Sequence, residues 1–100
     1  MEGEALISHE VLASYAADAA REVAGVRGLV DSPLPGRRAV RIGGEDGAVT
    51  VELHVEVEWG ASIPEVGGRV QARVADYLAR MADVRPASVE VVVDEIGPLG

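Results

Sequence analysis

The stretch Val49-Thr50-Val51-Glu52-Leu53-His54-Val55-Glu56-Val57-Glu58 alternates apolar and polar residues without a break. Successive side chains of a strand point to opposite faces, so this pattern fits a strand with one dry face and one wet face. A helix would scatter the same carboxylates around its circumference. The period also specifies register, because a slip of one residue would bury Glu52, His54, Glu56 and Glu58 together. Directly afterwards, Trp59-Gly60-Ala61-Ser62-Ile63-Pro64-Glu65 reads as a turn and a helix start. Ser62 at the N-cap with Glu65 three residues on makes a capping box, and Pro64 falls in the first turn, where a missing N–H costs little. Trp59 shares the parity of Val55 and Val57 and is expected to continue the dry face into the core.

The flanking segments supply the rest of the fold. Ala5-Leu6-Ile7 is a short apolar run expected to form a weak first strand, and Ser8 is a helix N-cap. Val11, Leu12, Tyr15, Ala16, Ala19 and Val23 then recur as one helical stripe, with Arg21 and Gly25 as stop signals. Residues 25–36 hold three Gly and two Pro and read as a connecting loop anchored by Val26 and Leu29. Arg37 to Ile42 alternates again, and Gly43-Gly44-Glu45-Asp46-Gly47 turns it into a hairpin with the long strand. Val40 and Ile42 then join the core face. Arg37 and Arg41 join the outer face with Thr50, Glu52, His54 and Glu56.

The second helix places Val66, Val70, Val74, Tyr77, Leu78 and Met81 on one side and Arg69, Arg73, Asp76, Arg80 and Asp83 on the other. Gly67-Gly68 weakens it by about 1 kcal/mol per glycine relative to Ala, a cost that close approach of a neighbouring backbone would explain. Pro86 ends the helical region, Val89, Val91 and Val93 alternate with Glu90, Val92 and Asp94 in a last strand, and the tail from Gly97 is expected to fray. The order is β(weak)-α-β-β-α-β, a split βαβ pattern. It implies an α+β fold: a single-layer, mostly antiparallel sheet with two helices on one face, residues 1–100 forming one domain.

Composition narrows what such a domain does. The chain has no Phe, and only Tyr15, Trp59 and Tyr77 are aromatic, so Val, Leu, Ile and Ala must fill a thin core. The formal charge is −8, which disfavours nucleic acid and anionic lipid. All nine basic residues are Arg, which removes lysine-dependent chemistry, and the absence of Cys removes thiolate nucleophiles and disulfides. The acidic start Met1-Glu2-Gly3-Glu4 is unlike a signal peptide, and no stretch reaches the roughly 20 apolar residues of a membrane span. A soluble cytoplasmic protein without direct membrane insertion is expected.

Two patterns resemble chemistry. Glu52, His54 and Glu56 point the same way along one strand and invite a metal or proton-transfer reading. Alternate residues on a strand lie about 7 Å apart, too far for one ion to gather all three unaided, so a solvated charged face is the plainer reading. Gly25-Val26-Arg27-Gly28 has the GxxG form that clamps an RNA backbone in KH domains, but there the loop joins two helices and the surroundings are basic. No nucleophile, base and orienting group come together, so no enzyme, cofactor or metal is expected.

The succession Val55-Glu56-Val57-Glu58-Trp59-Gly60-Ala61-Ser62-Ile63-Pro64-Glu65-Val66, then Arg69-Val70-Gln71 and Met81, resembles the alkaline-shock-protein, or envelope stress response, family. Ile7-Ser8-His9-Glu10-Val11, Glu22-Val23-Ala24-Gly25-Val26-Arg27-Gly28 and the closing Val89-Glu90-Val91-Val92-Val93 extend the resemblance over nearly the whole chain, with Glu90 where the family often has Asn. The resemblance implies a small, non-enzymatic cytoplasmic bacterial protein that self-associates and sits near the membrane through a separate membrane-anchored partner. Arg37, Arg41, Glu52, His54, Glu56 and Glu58 are the candidate partner-binding residues, presented by an open sheet face or beside a free strand edge.

Overall fold

A computed structural model describes residues 8–31, 38–44 and 48–97. The expected strand at Ala5–Ile7, Arg37, the turn tip at 45–47 and the tail after Gly97 lie outside the described residues. Helix α1 (His9–Arg21) starts at Ser8, whose hydroxyl accepts from the Val11 N–H at 3.1 Å. Its buried face is Leu12, Ala16, Ala17, Ala19 and Ala20, so the dry stripe is rotated from the expected one and Val11 is left exposed. The alanines explain the rotation: small side chains let the helix lie close on the sheet, and close packing favours Ala17 and Ala20 over a bulkier neighbour.

Helix α1 exits through Gly25, whose φ of +97° an L side chain rarely adopts, and a Cβ there would press into Val66 of the second helix. The chain then enters strand β1 (Val26–Leu29), where a loop was expected. Gly28 and a register shift between Val26 and Gly28 hide any alternation, so only pairing with the long strand makes this segment extended. Val26 and Leu29 do tuck against the core. Strand β2 (Val40–Gly43) and strand β3 (Thr50–Val57) form the expected antiparallel pair, with Ile42 opposite Val51 and Arg41 opposite Glu52.

Helix α2 (Ile63–Ala82) begins at Ser62, which accepts from the Glu65 N–H at 3.4 Å, and ends at Asp83 in the left-handed region, φ 55°. Strand β4 (Ser88–Ile96) returns parallel to β3. Two of the three pairings are thus antiparallel. Because β4 runs the whole length of β3, β1 and β2 must share the opposite margin, end to end. His54 joins them: its C=O accepts from Val30 at 2.9 Å and its N–H donates to Ala39 at 2.8 Å. Asp31 accepts from the Ala39 N–H at 2.8 Å and ties the chain after β1 to the approach to β2.

Both helices cover the same sheet face. Val51, Leu53, Val55 and Val57 of β3 pack under Leu12, Ala16 and Ala20 of α1 and Val66, Val70, Val74 and Leu78 of α2. Tyr15 and Tyr77 meet edge to face across the helix pair, with ring centroids 5.9 Å apart. Met81, expected inside, is 49% exposed at the end of α2. Gly67 and Gly68 approach no neighbouring backbone; a Cβ at either would meet open space. The packing explanation for this pair fails, and the glycines leave only their entropic cost. Gly67→Ala and Gly68→Ala should each raise the unfolding free energy by about 0.5–1 kcal/mol in urea melts followed by circular dichroism.

Candidate functional site

The outer face of the sheet carries most of the candidate residues. Its centre is His54 on β3, with Nε2 at 2.6 Å from Glu52 Oε2 and Nδ1 at 2.6 Å from Asp94 Oδ2 of β4. A neutral imidazole has one N–H, so only the doubly protonated ring can donate to both carboxylates, and the arrangement favours that form. The hydrogen bond to Glu52 first, and that to Asp94 after it, raise the proton affinity of His54 above its ordinary 6.5, against the opposing effect of partial burial. Asp94 reaches His54 because it shares the outer face of β4 with Glu90 and Val92, and Val92 lies abreast of His54 in the parallel pairing.

Arg27 of β1 donates from Nε to Glu56 Oε2 at 3.0 Å, and Arg41 sits opposite Glu52. Glu58 is exposed just past the end of β3. Glu52 lies abreast of Glu90, a like-charge juxtaposition that the imidazolium offsets. Thus Glu52, His54, Glu56 and Arg41 share one face, as the alternation requires, while Arg37 lies outside the described residues. Arg27 and Asp94 are members that sequence reasoning missed, since both enter through long-range pairing.

Among the described residues, no three His, Asp or Glu side chains converge as metal ligands. Glu56 is engaged by Arg27, and the two ring nitrogens of His54 face carboxylates on different sides. The GxxG segment joins α1 to a strand rather than to a second helix.

His54 makes stability depend on pH. Its folded pKa lies above the unfolded one, so its contribution is complete below about pH 6.5 and disappears as pH rises through the folded value. The protein should therefore melt lower at pH 9 than at pH 6. His54→Ala should cost about 1–2 kcal/mol at pH 6 and flatten that dependence, measured by thermal melts across the range.

Trp59 is the main correction to the sequence reading. It is 59% exposed, because the strand ends at Val57 and the chain turns at Gly60, φ +88°, which carries the indole off the dry face. The signal was present in Gly60, directly after the tryptophan. Trp59 lines a shallow depression with Val57, Ala61, Ile63 of α2 and Ile96 of β4. Ile63 is 41% and Ile96 49% exposed, so one corner of the molecule presents three large apolar side chains together. Such patches with an aromatic centre mark association surfaces.

Among the described residues, the fold and its surfaces define a small α+β domain with a charged sheet face and an apolar corner. The chain belongs to the alkaline shock protein 23 family, described as having a cell envelope-related function, whose model matches residues 1–98. It is 28% identical over 102 residues to an uncharacterised protein, Spy1535, of Streptococcus pyogenes serotype M6, covering 94% of this chain and 79% of that one. Among solved structures it resembles a doubly substituted MamM CTD at 22% identity and a TM-score of 0.66, covering 88% of this chain and 84% of the other. A copper form of the MamM CTD gives 21% identity, a TM-score of 0.64, and coverage of 91% and 88%. At this identity the likeness concerns the fold.

Proposed function

We propose that this single domain is a non-enzymatic interaction protein of the cell envelope, cytoplasmic, which self-associates and binds a membrane-anchored protein. The exposed corner of Trp59, Ile63 and Ile96 carries the reading. Large apolar side chains gathered at one surface site, next to a charged sheet face, suit association rather than turnover. No helix among the described residues is long and apolar enough to cross a membrane, so a membrane-proximal position would come through a partner. The open face, with Arg41, Glu52, His54, Glu56 and Glu58, is the natural surface for that partner, and Arg37 is proposed with it from the sequence alone. Size-exclusion chromatography with light scattering tests the self-association, and retrieval from solubilised membranes tests the partner. A strict monomer at high concentration that retrieves no membrane protein overturns the proposal.

A metal-binding regulatory module is the second reading, favoured by the fold likeness to a MamM CTD copper form. Here an ion would have to displace a proton from one ring nitrogen of His54, Nε2 facing Glu52 or Nδ1 facing Asp94. Calorimetric titration with copper and manganese at pH 6 and pH 8, on the parent and His54→Ala, decides it: equal heats from both proteins end this reading.

A further inference from the structure

The margin of the sheet formed by β4 is a site of a different kind. His54 turns its backbone groups toward β1 and β2, so the even-numbered residues of β3 face that margin and Val51, Leu53, Val55 and Val57 face β4. In the parallel register, with Val51 beside Val89 and Leu53 beside Val91, the residues bonding to β3 are Ser88, Glu90 and Val92. Val89, Val91 and Val93 therefore turn their N–H and C=O groups outward. Among the described residues no strand pairs with them, and α1 begins beside β2 on the other margin.

Each end of this margin is closed. Gln71 of α2 donates from Nε2 to the Val89 carbonyl at 2.9 Å, and the register shift near Asp94 breaks the ladder beyond Val93. Both are devices by which proteins blunt a free edge. Between them the groups of Val91 and Val93 are left as a short open window, with half-buried valine side chains beneath α2 and the exposed carboxylates of Glu90 and Asp94 on the outer side.

We propose that this window is a strand-addition site for an extended, basic segment of a partner protein. The inference rests on the reading of the chain as an interaction module and names the surface and the chemistry of its partner. Main-chain bonds to Val91 and Val93 supply the docking, and Arg or Lys at alternate positions answers Glu90 and Asp94. A second copy fits less well. Antiparallel pairing about Val92 sets Glu90 opposite Asp94, pairing about Glu90 sets it against itself, and pairing about Val91 gathers four carboxylates on one strip.

The test uses the full chain and two synthetic eight-residue peptides, one alternating Lys and Val, the other Glu and Val. Amide shifts and hydrogen exchange are followed by NMR. The Lys/Val peptide is expected to shift and protect the Val91 and Val93 amides, more weakly in high salt, while the Glu/Val peptide does neither. Glu90→Lys should weaken Lys/Val binding about tenfold and admit the Glu/Val peptide. No change at Val91 and Val93 at millimolar peptide overturns the proposal, as do changes confined to the Trp59 corner. Protection that grows with protein concentration alone assigns the edge to a second copy and also overturns it. A monomeric chain that adds the Lys/Val strand would remove self-association and leave this site standing; an oligomer indifferent to the peptide does the reverse.

Discussion

Leu53→Ala should lower the unfolding free energy by about 3–5 kcal/mol, the largest loss expected from any single truncation in this chain. Leu53 is fully buried in the middle of β3, between Val40 of β2 and Val91 of β4, beneath both helices. Among the described residues, it and Leu78 are the bulkiest of the fully enclosed side chains; the others are valines and alanines. No phenylalanine is present anywhere in the chain to swing into the space. A cavity at that point has neighbours fixed by ladder bonds on both sides and collapses little, so the transfer and cavity costs add. Domains of this size are stable by roughly 5–15 kcal/mol, so the variant should be near the limit of folding at 37 °C. Urea unfolding followed by circular dichroism measures it, with Leu53→Val as the milder control at about 1 kcal/mol.

Trp59→Ser should have the opposite profile: a large effect on association and almost none on folding. The indole is more than half exposed, so its removal should change stability by less than about 0.5 kcal/mol. A tryptophan at the centre of an association surface contributes about 2 kcal/mol or more, and its loss should raise the dissociation constant about 30-fold. Ile63→Ser and Ile96→Ser should weaken association in the same direction by smaller factors, since each flanks the indole. Sedimentation velocity over a concentration series separates these from a folding defect.

The strand and hairpin were legible because alternation is a local property. Val49 to Glu58 could satisfy its parity only as a strand, and Ser8 and Ser62 announced the two helices through side-chain chemistry that acts within three residues. β1 was not legible: Val26-Arg27-Gly28-Leu29 has no usable period, and its pairing to Val55 and Val57 depends on a partner 26 or more residues away. Trp59 was misplaced because parity was carried one turn past the last residue that obeys it. The outer-face row was read correctly, but its electrostatics were not, since Asp94 and Arg27 arrive from other strands. Gln71 carried a family resemblance in the sequence and acquired a physical role only once β4 lay beside α2.

Association through exposed surface can be read from light scattering of the parent chain beside Trp59→Ser. The parent should show a concentration-dependent mass above the monomer and the variant a monomer, with identical circular dichroism spectra. A parent chain that remains monomeric at every concentration, or a variant that associates as well as the parent, would contradict it.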